Sequence, residues 1–231
     1  MKWNDVFCNT FEALAREAKL PERNRSFVDL CRSDDSAFCR RLVGEGVLTE
    51  EQMARAADLY QLGSTRSGKP IFWMIDTLGF ELDGRIGDRW FSDLLKLRLP
   101  ETVGLYHPRR CLFGEHLLTL REGPVAIVGR EESAVVLSAL YPEVIWLAYS
   151  YPANATLDRF EALTGRTVTI YPPTDETMSS YLYFVNLAQH IGRRYQVDIS
   201  VSKILEEHAS EEQKRREIDL LEFISVNSVE L

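Results

Sequence analysis

The chain has 231 residues, of which 45% are hydrophobic, 10% aromatic and 27% charged, with 27 Lys and Arg against 35 Asp and Glu. This composition excludes the disordered, collagen-like and disulfide-scaffold classes of protein. The net charge of -8 disfavours a general nucleic-acid coat, although a local basic surface can still bind nucleic acid. No run approaches the ~20 apolar residues of a membrane helix, so we expect a cytoplasmic protein with no membrane partner.

The first part of the sequence shows helical periodicity. Bulky apolar residues recur at helical spacing at Trp3, Phe7, Phe11 and Leu14. Ser33 and Thr49 each offer a helix start, because a Ser or Thr side chain caps the free N–H groups of a first turn. We therefore assign residues 1–63 to a helical N-terminal region.

The next segment changes to a strand-like pattern. The run PIFWMID is short, apolar and aromatic, and it is followed by turn residues and by FELDGRIGDRWF. This order predicts a strand, a turn and a return strand. We interpret residues 64–123 as a β-hairpin and linker segment, in which CLFGEHLLTL forms a short packed helix.

One stretch imitates a phosphate-binding loop. Gly63 is followed at the usual spacing by Gly68 and Lys69, but Pro70 stands where a Ser or Thr would hold magnesium. A strand also follows where a helix N-terminus would cradle the phosphate. We interpret the stretch as a linker.

Strands and helices alternate from Pro124 onward. The apolar runs PVAIV, EVIWLA, RTVTIY and QVDISV are separated by helical segments. This alternation is typical of a parallel sheet with right-handed crossovers. We predict an α/β domain over residues 124–231, with four strands between 124 and 201 and acidic helices at its end. Ligands of such sheets bind at the carboxyl ends of the strands.

Zinc chemistry has no support in the sequence. The cysteines at 8, 31, 39 and 111 include no C-x-x-C pair, and the four histidines form no H-x-x-x-H pair. The region from 85 to 110 is locally basic instead, with Arg85, Arg89, Lys96, Arg98, Arg109 and Arg110. These residues are candidates for contacts with a nucleic-acid backbone, with Trp90, Phe91 and Tyr106 available for base stacking. The alternative is ordinary surface charge.

Several phrases of the sequence resemble a known group of proteins. They are PIFWMID, HPRRCLFGEHLL, PVAIV, EVIWLA, GRTVTIYP and EEHASEEQKRREIDLLEFI, preceded by a helical segment that ends in YQLG. Together, over residues ~50 to 225, they resemble an uncharacterised family of toprim-like, primase-related proteins of bacterial conjugative and other mobile elements. The resemblance implies a small parallel-sheet toprim-like domain.

The resemblance also shows which site positions have changed. Members with an intact pattern carry a Glu after the first strand, a small Thr-Gly-Gly-like turn after the second, and an Asp-x-Asp pair after the third. This sequence has Gly129 at the first place, Tyr149, Ser150 and Tyr151 at the second, and Pro173 at the first Asp position. Only Asp175 matches, so it is the one metal ligand that the resemblance implies.

We therefore expect a degenerate, non-catalytic protein that binds DNA, RNA or a partner protein and needs no cofactor. The first alternative is a nuclease or primase that uses Mg or Mn at a rebuilt site. Its candidate catalytic residues are Glu131, Glu132, Asp175 and Glu176. The second alternative is an acidic protein-interaction module that mimics nucleic acid.

Overall fold

The computed structural model describes residues 27–98, 111–151 and 155–227. The chain divides into two compact units, residues 1–111 and 112–231. Both units are mixed α/β, the first with an antiparallel sheet and the second with a parallel one. The aromatic face predicted at residues 3–14 lies outside the described residues. In the described part of the chain, no helix combines the length and apolarity needed to cross a membrane.

The first unit contains four described helices and a four-stranded sheet in the order β1-β2-β3-β4. The helices are α1 (Phe27–Cys31), α2 (Ala37–Gly44), α3 (Glu50–Leu59) and α4 (Phe91–Arg98). The strands are β1 (Gly63–Ser64), β2 (Pro70–Ile75), β3 (Glu81–Ile86) and β4 (Arg89–Trp90).

Local capping explains where the helices of the first unit begin. Thr49 and Gln52 form a capping box at the start of α3, which confirms the predicted start. The start predicted at Ser33 is wrong. Ser33 Oγ instead accepts from the Asp35 N–H at 3.1 Å within a turn. Ser36 Oγ accepts from the Cys39 N–H at 3.3 Å and caps α2.

The predicted hairpin of β2 and β3 is confirmed. Asp76 closes its turn, because Asp76 Oδ1 accepts from the Leu78 and Phe80 N–H groups, each at 2.9 Å. Trp73 of β2 pairs with Gly84 of β3 and is 1% exposed. A Cβ atom at position 84 would lie 2.8 Å from the Trp73 ring. The indole therefore occupies the space of a missing side chain.

The second unit contains a four-stranded sheet in the order β6-β5-β7-β8, in which every neighbouring pair is parallel. The strands are β5 (Val125–Val128), β6 (Ile145–Ala148), β7 (Thr167–Ile170) and β8 (Asp198–Val201). The helices are α5 (Leu117–Leu120), α6 (Glu131–Leu140), α7 (Ser179–Tyr195), α8 (Ile204–His208), α9 (Glu211–Arg215) and α10 (Leu220–Asn227), together with a 3₁₀ helix (Leu157–Leu163).

All four strands predicted for this sheet are confirmed. Every residue of β5 and β6 is buried, as expected for strands covered on both faces. The segment before β5 also belongs to this unit, because Phe113 pairs with Ala148 at the end of β6. The helix predicted within CLFGEHLLTL is the short α5.

Candidate functional site

The candidate site is the carboxyl edge of the parallel sheet. In the order β6-β5-β7-β8, the chain leaves β5 for β6 on one side and later returns to β7 on the other. Open sheets bind ligands at the strand ends beside such a reversal of direction. The residues that follow β5, β6 and β7 are therefore the ones to consider.

A tyrosine covers the end of β5. Gly129 follows β5, and a Cβ atom built there would lie 3.3 Å from Tyr149 Oη. The Tyr149 ring is fully buried and packs on Phe184, with ring centroids 4.7 Å apart. Among the described residues its hydroxyl has no hydrogen-bond partner. Burial raises the pKa of Tyr149, and the charge of Asp219 raises it further, so the hydroxyl stays protonated.

The next residue after β6 has an unusual backbone conformation. Ser150 has a φ of 72°, in the left-handed region that favours glycine. The residue is buried, at 4% exposed. Its hydroxyl has no hydrogen-bond partner within the described ranges. A serine is therefore held at a position whose geometry suits a glycine turn.

An ion pair joins the start of α6 to the start of α10. Arg130 Nε donates to Asp219 Oδ2 at 2.9 Å, and Ser133 Oγ donates to the same oxygen at 2.5 Å. Asp219 Oδ1 accepts from the Glu222 N–H at 3.0 Å and so caps α10. Burial alone would lower the pKa of Arg130, but the Asp219 carboxylate outweighs it and the pKa is raised. The cation at the end of β5 is thus already neutralised.

Asp175 lies three residues before Met178, the N-cap residue of α7, and its side chain holds the turn that leads into this helix. Its carboxylate accepts from three backbone N–H groups, those of Thr177, Ser179 and Ser180, at 2.8 to 3.0 Å. It also accepts from the hydroxyls of Thr177 at 2.6 Å and Ser179 at 3.0 Å. Burial would raise the pKa of Asp175, but these hydrogen bonds outweigh it and hold the pKa well below its usual range. Asp175 therefore orders the start of α7.

The acidic neighbour of Asp175 that the structure identifies is Glu206. Burial raises the pKa of Glu206, and the charge of Asp175 raises it as well, whereas the Thr174 hydroxyl and Lys214 lower it. Thr174 is itself fully buried. Sequence reasoning missed Glu206, because it lies in α8, outside the strand ends.

The other three candidate catalytic carboxylates, Glu131, Glu132 and Glu176, each have different surroundings. Glu131 is buried in the first turn of α6, at 5% exposed, and Glu132 follows it there. Glu176 is about half exposed and lies 3.7 Å from Arg215. Within the described ranges, no three His, Cys, Asp or Glu side chains are grouped so that they could hold a metal ion.

Sequence reasoning missed Asp219, and it named Tyr149 as a replaced turn residue without predicting that its hydroxyl lies against Gly129. Asp219 precedes an apolar helix and has Glu222 three residues later, which is a capping pattern that the sequence does display. Its pairing with Arg130 spans 89 residues, and no local pattern encodes it.

Among its described residues, the structure places only part of the predicted basic surface, residues 85–110, in contact with solvent. Arg85 is 6% exposed and stacks over the Trp90 ring at 5.3 Å, so its prediction as a phosphate contact is corrected. Trp90 and Phe91 are also buried, the first under Arg85 and the second against Trp73, so neither is available to stack on bases as predicted. Arg89 is exposed. Lys96 and Arg98 are in α4, with side chains outside the description, and Arg109, Arg110 and Tyr106 lie outside the described residues.

Comparison with known proteins identifies a family. One family model, described as a domain of unknown function (DUF6371), matches residues 36–174. This match covers more than half of the chain, which therefore belongs to the DUF6371 family. No curated protein and no solved structure matches the chain.

Proposed function

We propose that this member of the DUF6371 family is a degenerate, non-catalytic, toprim-like and primase-related protein of a mobile element, which binds nucleic acid or a partner protein. The observation that carries the proposal is the state of Asp175, the one acidic residue that the sequence resemblance retains. Both of its carboxylate oxygens serve a structural role at the start of α7.

The hydrogen bonds to Asp175 leave little capacity for a cation. A carboxylate offers about four lone-pair positions, and Asp175 already accepts five hydrogen bonds. Magnesium demands near-ideal octahedral geometry and oxygen ligands at ~2.0–2.1 Å. A bound ion would have to displace the N–H donors of α7, which have no other partner in the first turn of a helix.

The residues that follow β5 and β6 also support a protein that has lost its metal ligands but kept its fold. Gly129 supplies no carboxylate after β5, and the Tyr149 hydroxyl lies above it. Ser150 keeps a left-handed φ at the place where the resemblance expects a small turn. These features fit a site whose backbone path has persisted while its ligands have been replaced.

The first experiment asks whether the chain has metal-dependent activity. Calorimetric titration with manganese should give no saturable heat for the wild type or for Asp175→Asn. Purified protein should neither nick DNA nor synthesise primers with magnesium or manganese. Saturable binding and activity, both lost in Asp175→Asn or Glu131→Gln variants that remain folded, would establish the rebuilt nuclease or primase and overturn the proposal.

The second experiment asks what the protein binds. A fluorescent single-stranded oligonucleotide should bind with an affinity that falls as salt rises, because released counterions drive contacts to phosphates. Arg89→Ala tests the exposed arginine of the hairpin, and Arg41→Ala on α2 is a matched exposed control. If no oligonucleotide binds even at low salt, nucleic-acid binding is refuted and the acidic protein-interaction module is favoured.

A further inference from the structure

An open, polar surface cavity of about 520 Å³ lies on the first unit, beside the loop that joins β1 to β2. Its volume falls in the range of small-molecule sites, which is ~300–1,000 Å³. The polar side chains that matter for its chemistry are Arg32, Ser33, Arg40, Thr65, Arg66 and Ser67. The cavity is thus lined by guanidinium groups and hydroxyls.

The charge of the lining is positive. Three arginines line the cavity, and because Arg32 and Arg40 each pair with a carboxylate, the unpaired positive charge is that of Arg66. Asp35 is already engaged, because its Oδ1 accepts from Arg40 Nη1 at 3.1 Å. Arg32 pairs with Asp58. Arg66 has no hydrogen bond or ion pair with any residue in the described part of the chain, so its guanidinium retains its capacity for a ligand.

The absence of a side chain at Gly68 brings a second guanidinium to the loop. Gly68 has a φ of +79°, and a Cβ atom there would lie 3.0 Å from Arg40 Nη2. Arg40 Nη1 also donates to the Asp35 carbonyl at 2.7 Å, which fixes the orientation of the planar group. Arg40 is therefore held against the loop before any ligand binds.

The loop itself presents further donors. The Gly68 N–H donates to the Thr65 carbonyl at 2.9 Å, which closes a turn with Arg66 and Ser67 at its centre. In the described structure, the N–H groups of these two central residues make no hydrogen bond. The Ser67 hydroxyl lies 3.1 Å from the Thr65 hydroxyl. Guanidinium, hydroxyl and free backbone N–H groups are the donors that phosphate oxygens prefer.

We infer that this cavity binds the phosphate group of a phosphomonoester, either the terminal phosphate of a nucleic acid or that of a small phosphorylated molecule. The mechanism differs from that of a P-loop, because arginines rather than a helix N-terminus supply the positive charge. The linker interpretation of residues 63–70 is thereby extended: the loop joins two strands and also contributes ligand donors. The inference does not depend on the proposed function, since it concerns only residues of the first unit.

The test uses inorganic phosphate as the probe and Arg66→Ala as the variant. Arg66 is exposed and makes no internal contact through hydrogen bonds, so its removal should leave the fold intact. Arg55→Ala is the matched control, because Arg55 is an exposed arginine that pairs with Glu51 on α3 and does not line the cavity. By calorimetry we expect saturable phosphate binding to the wild type, roughly tenfold weaker binding in Arg66→Ala, and a change below about twofold in Arg55→Ala.

A second measurement separates the two sources of phosphate. An oligonucleotide with a 5′-phosphate is compared with the same oligonucleotide carrying a 5′-hydroxyl. Tighter binding of the phosphorylated form, lost in Arg66→Ala, assigns the cavity to nucleic-acid ends. Equal binding of both forms, together with saturable inorganic phosphate, assigns it to a small phosphorylated molecule. Absence of saturable phosphate binding, or equal affinity of wild type and Arg66→Ala, overturns the inference.

Discussion

Replacement of Asp175 distinguishes a structural carboxylate from a metal ligand. Asp175→Ala removes the acceptor of five hydrogen bonds at the start of α7. Loss of a helix-capping side chain costs about 0.5–2 kcal/mol, and a hydrogen bond to a charged group contributes about 1.5–3 kcal/mol net of the water that it replaces. Since Asp175 as a whole residue is only 8% exposed, water replaces its carboxylate poorly. We expect a loss of about 2–4 kcal/mol in the free energy of unfolding.

The assay is urea denaturation followed by far-UV circular dichroism, with and without manganese. Glu176→Ala is the matched control, because the neighbouring carboxylate is about half exposed and makes one long ion pair. Its cost should stay below about 0.5 kcal/mol. A capping role predicts the same loss for Asp175→Ala in both solutions. An Asp175→Ala variant as stable as the wild type, or a wild type that manganese stabilises only through Asp175, would refute this reasoning.

The stability that Asp175 contributes should depend on pH. The pKa of Asp175 is lowered in the folded protein. Its contribution to stability is therefore fully present above the pKa of an unfolded Asp, ~3.9, and is lost as the pH falls below that value. The difference in unfolding free energy between wild type and Asp175→Ala should shrink in acid.

Three further substitutions test other features by the same denaturation assay. Gly84→Ala drives a Cβ atom into the buried indole of β2 and should cost about 1–3 kcal/mol, whereas Gly44→Ala, which meets no atom within 4 Å, should cost nothing measurable. Tyr149→Phe removes a buried hydroxyl that has no described hydrogen-bond partner and should stabilise the protein by about 1 kcal/mol. A loss of stability in Tyr149→Phe would instead show that the hydroxyl has a hydrogen-bond partner. Asp219→Ala removes the buried carboxylate that pairs with the half-exposed Arg130 and should lower the free energy of unfolding by about 2–3 kcal/mol. Glu222→Ala removes a more exposed partner of the same arginine and should cost under about 0.5 kcal/mol. Equal costs for these two acids would refute the assignment of Asp219.

The sheet of the second unit was predictable because its signal is local. PVAIV and EVIWLA contain apolar runs typical of strands covered on both faces, and the strands that they form, Val125–Val128 and Ile145–Ala148, are buried throughout. The start of α9 was predictable for a similar reason, since Ser210 and Gln213 form a capping box within four residues of sequence. Such features depend only on neighbouring residues, so they can be predicted without knowledge of the fold.

The chemistry of the sheet edge was less predictable. Asp175 stands where the resemblance expects a metal ligand, yet an Asp shortly before a helix also suits a carboxylate that accepts from the free N–H groups of the first turn. The tyrosine above Gly129 follows β6, 20 positions along the numbering from that glycine, so no spacing rule links them. Burial of Arg85 depends on its stacking against Trp90 across a strand pair, which composition alone does not reveal.

The contact between positions 129 and 149 couples the side chains that these two positions can carry. A Cβ atom at Gly129 would lie within 3.3 Å of a buried Tyr149 that has to yield by a few tenths of an ångström. An acidic side chain at 129 therefore needs either a shift of the Tyr149 ring or a smaller residue at position 149. We therefore expect substitutions at positions 129 and 149 to be coupled, with a side chain at 129 costing less stability when position 149 carries a smaller residue.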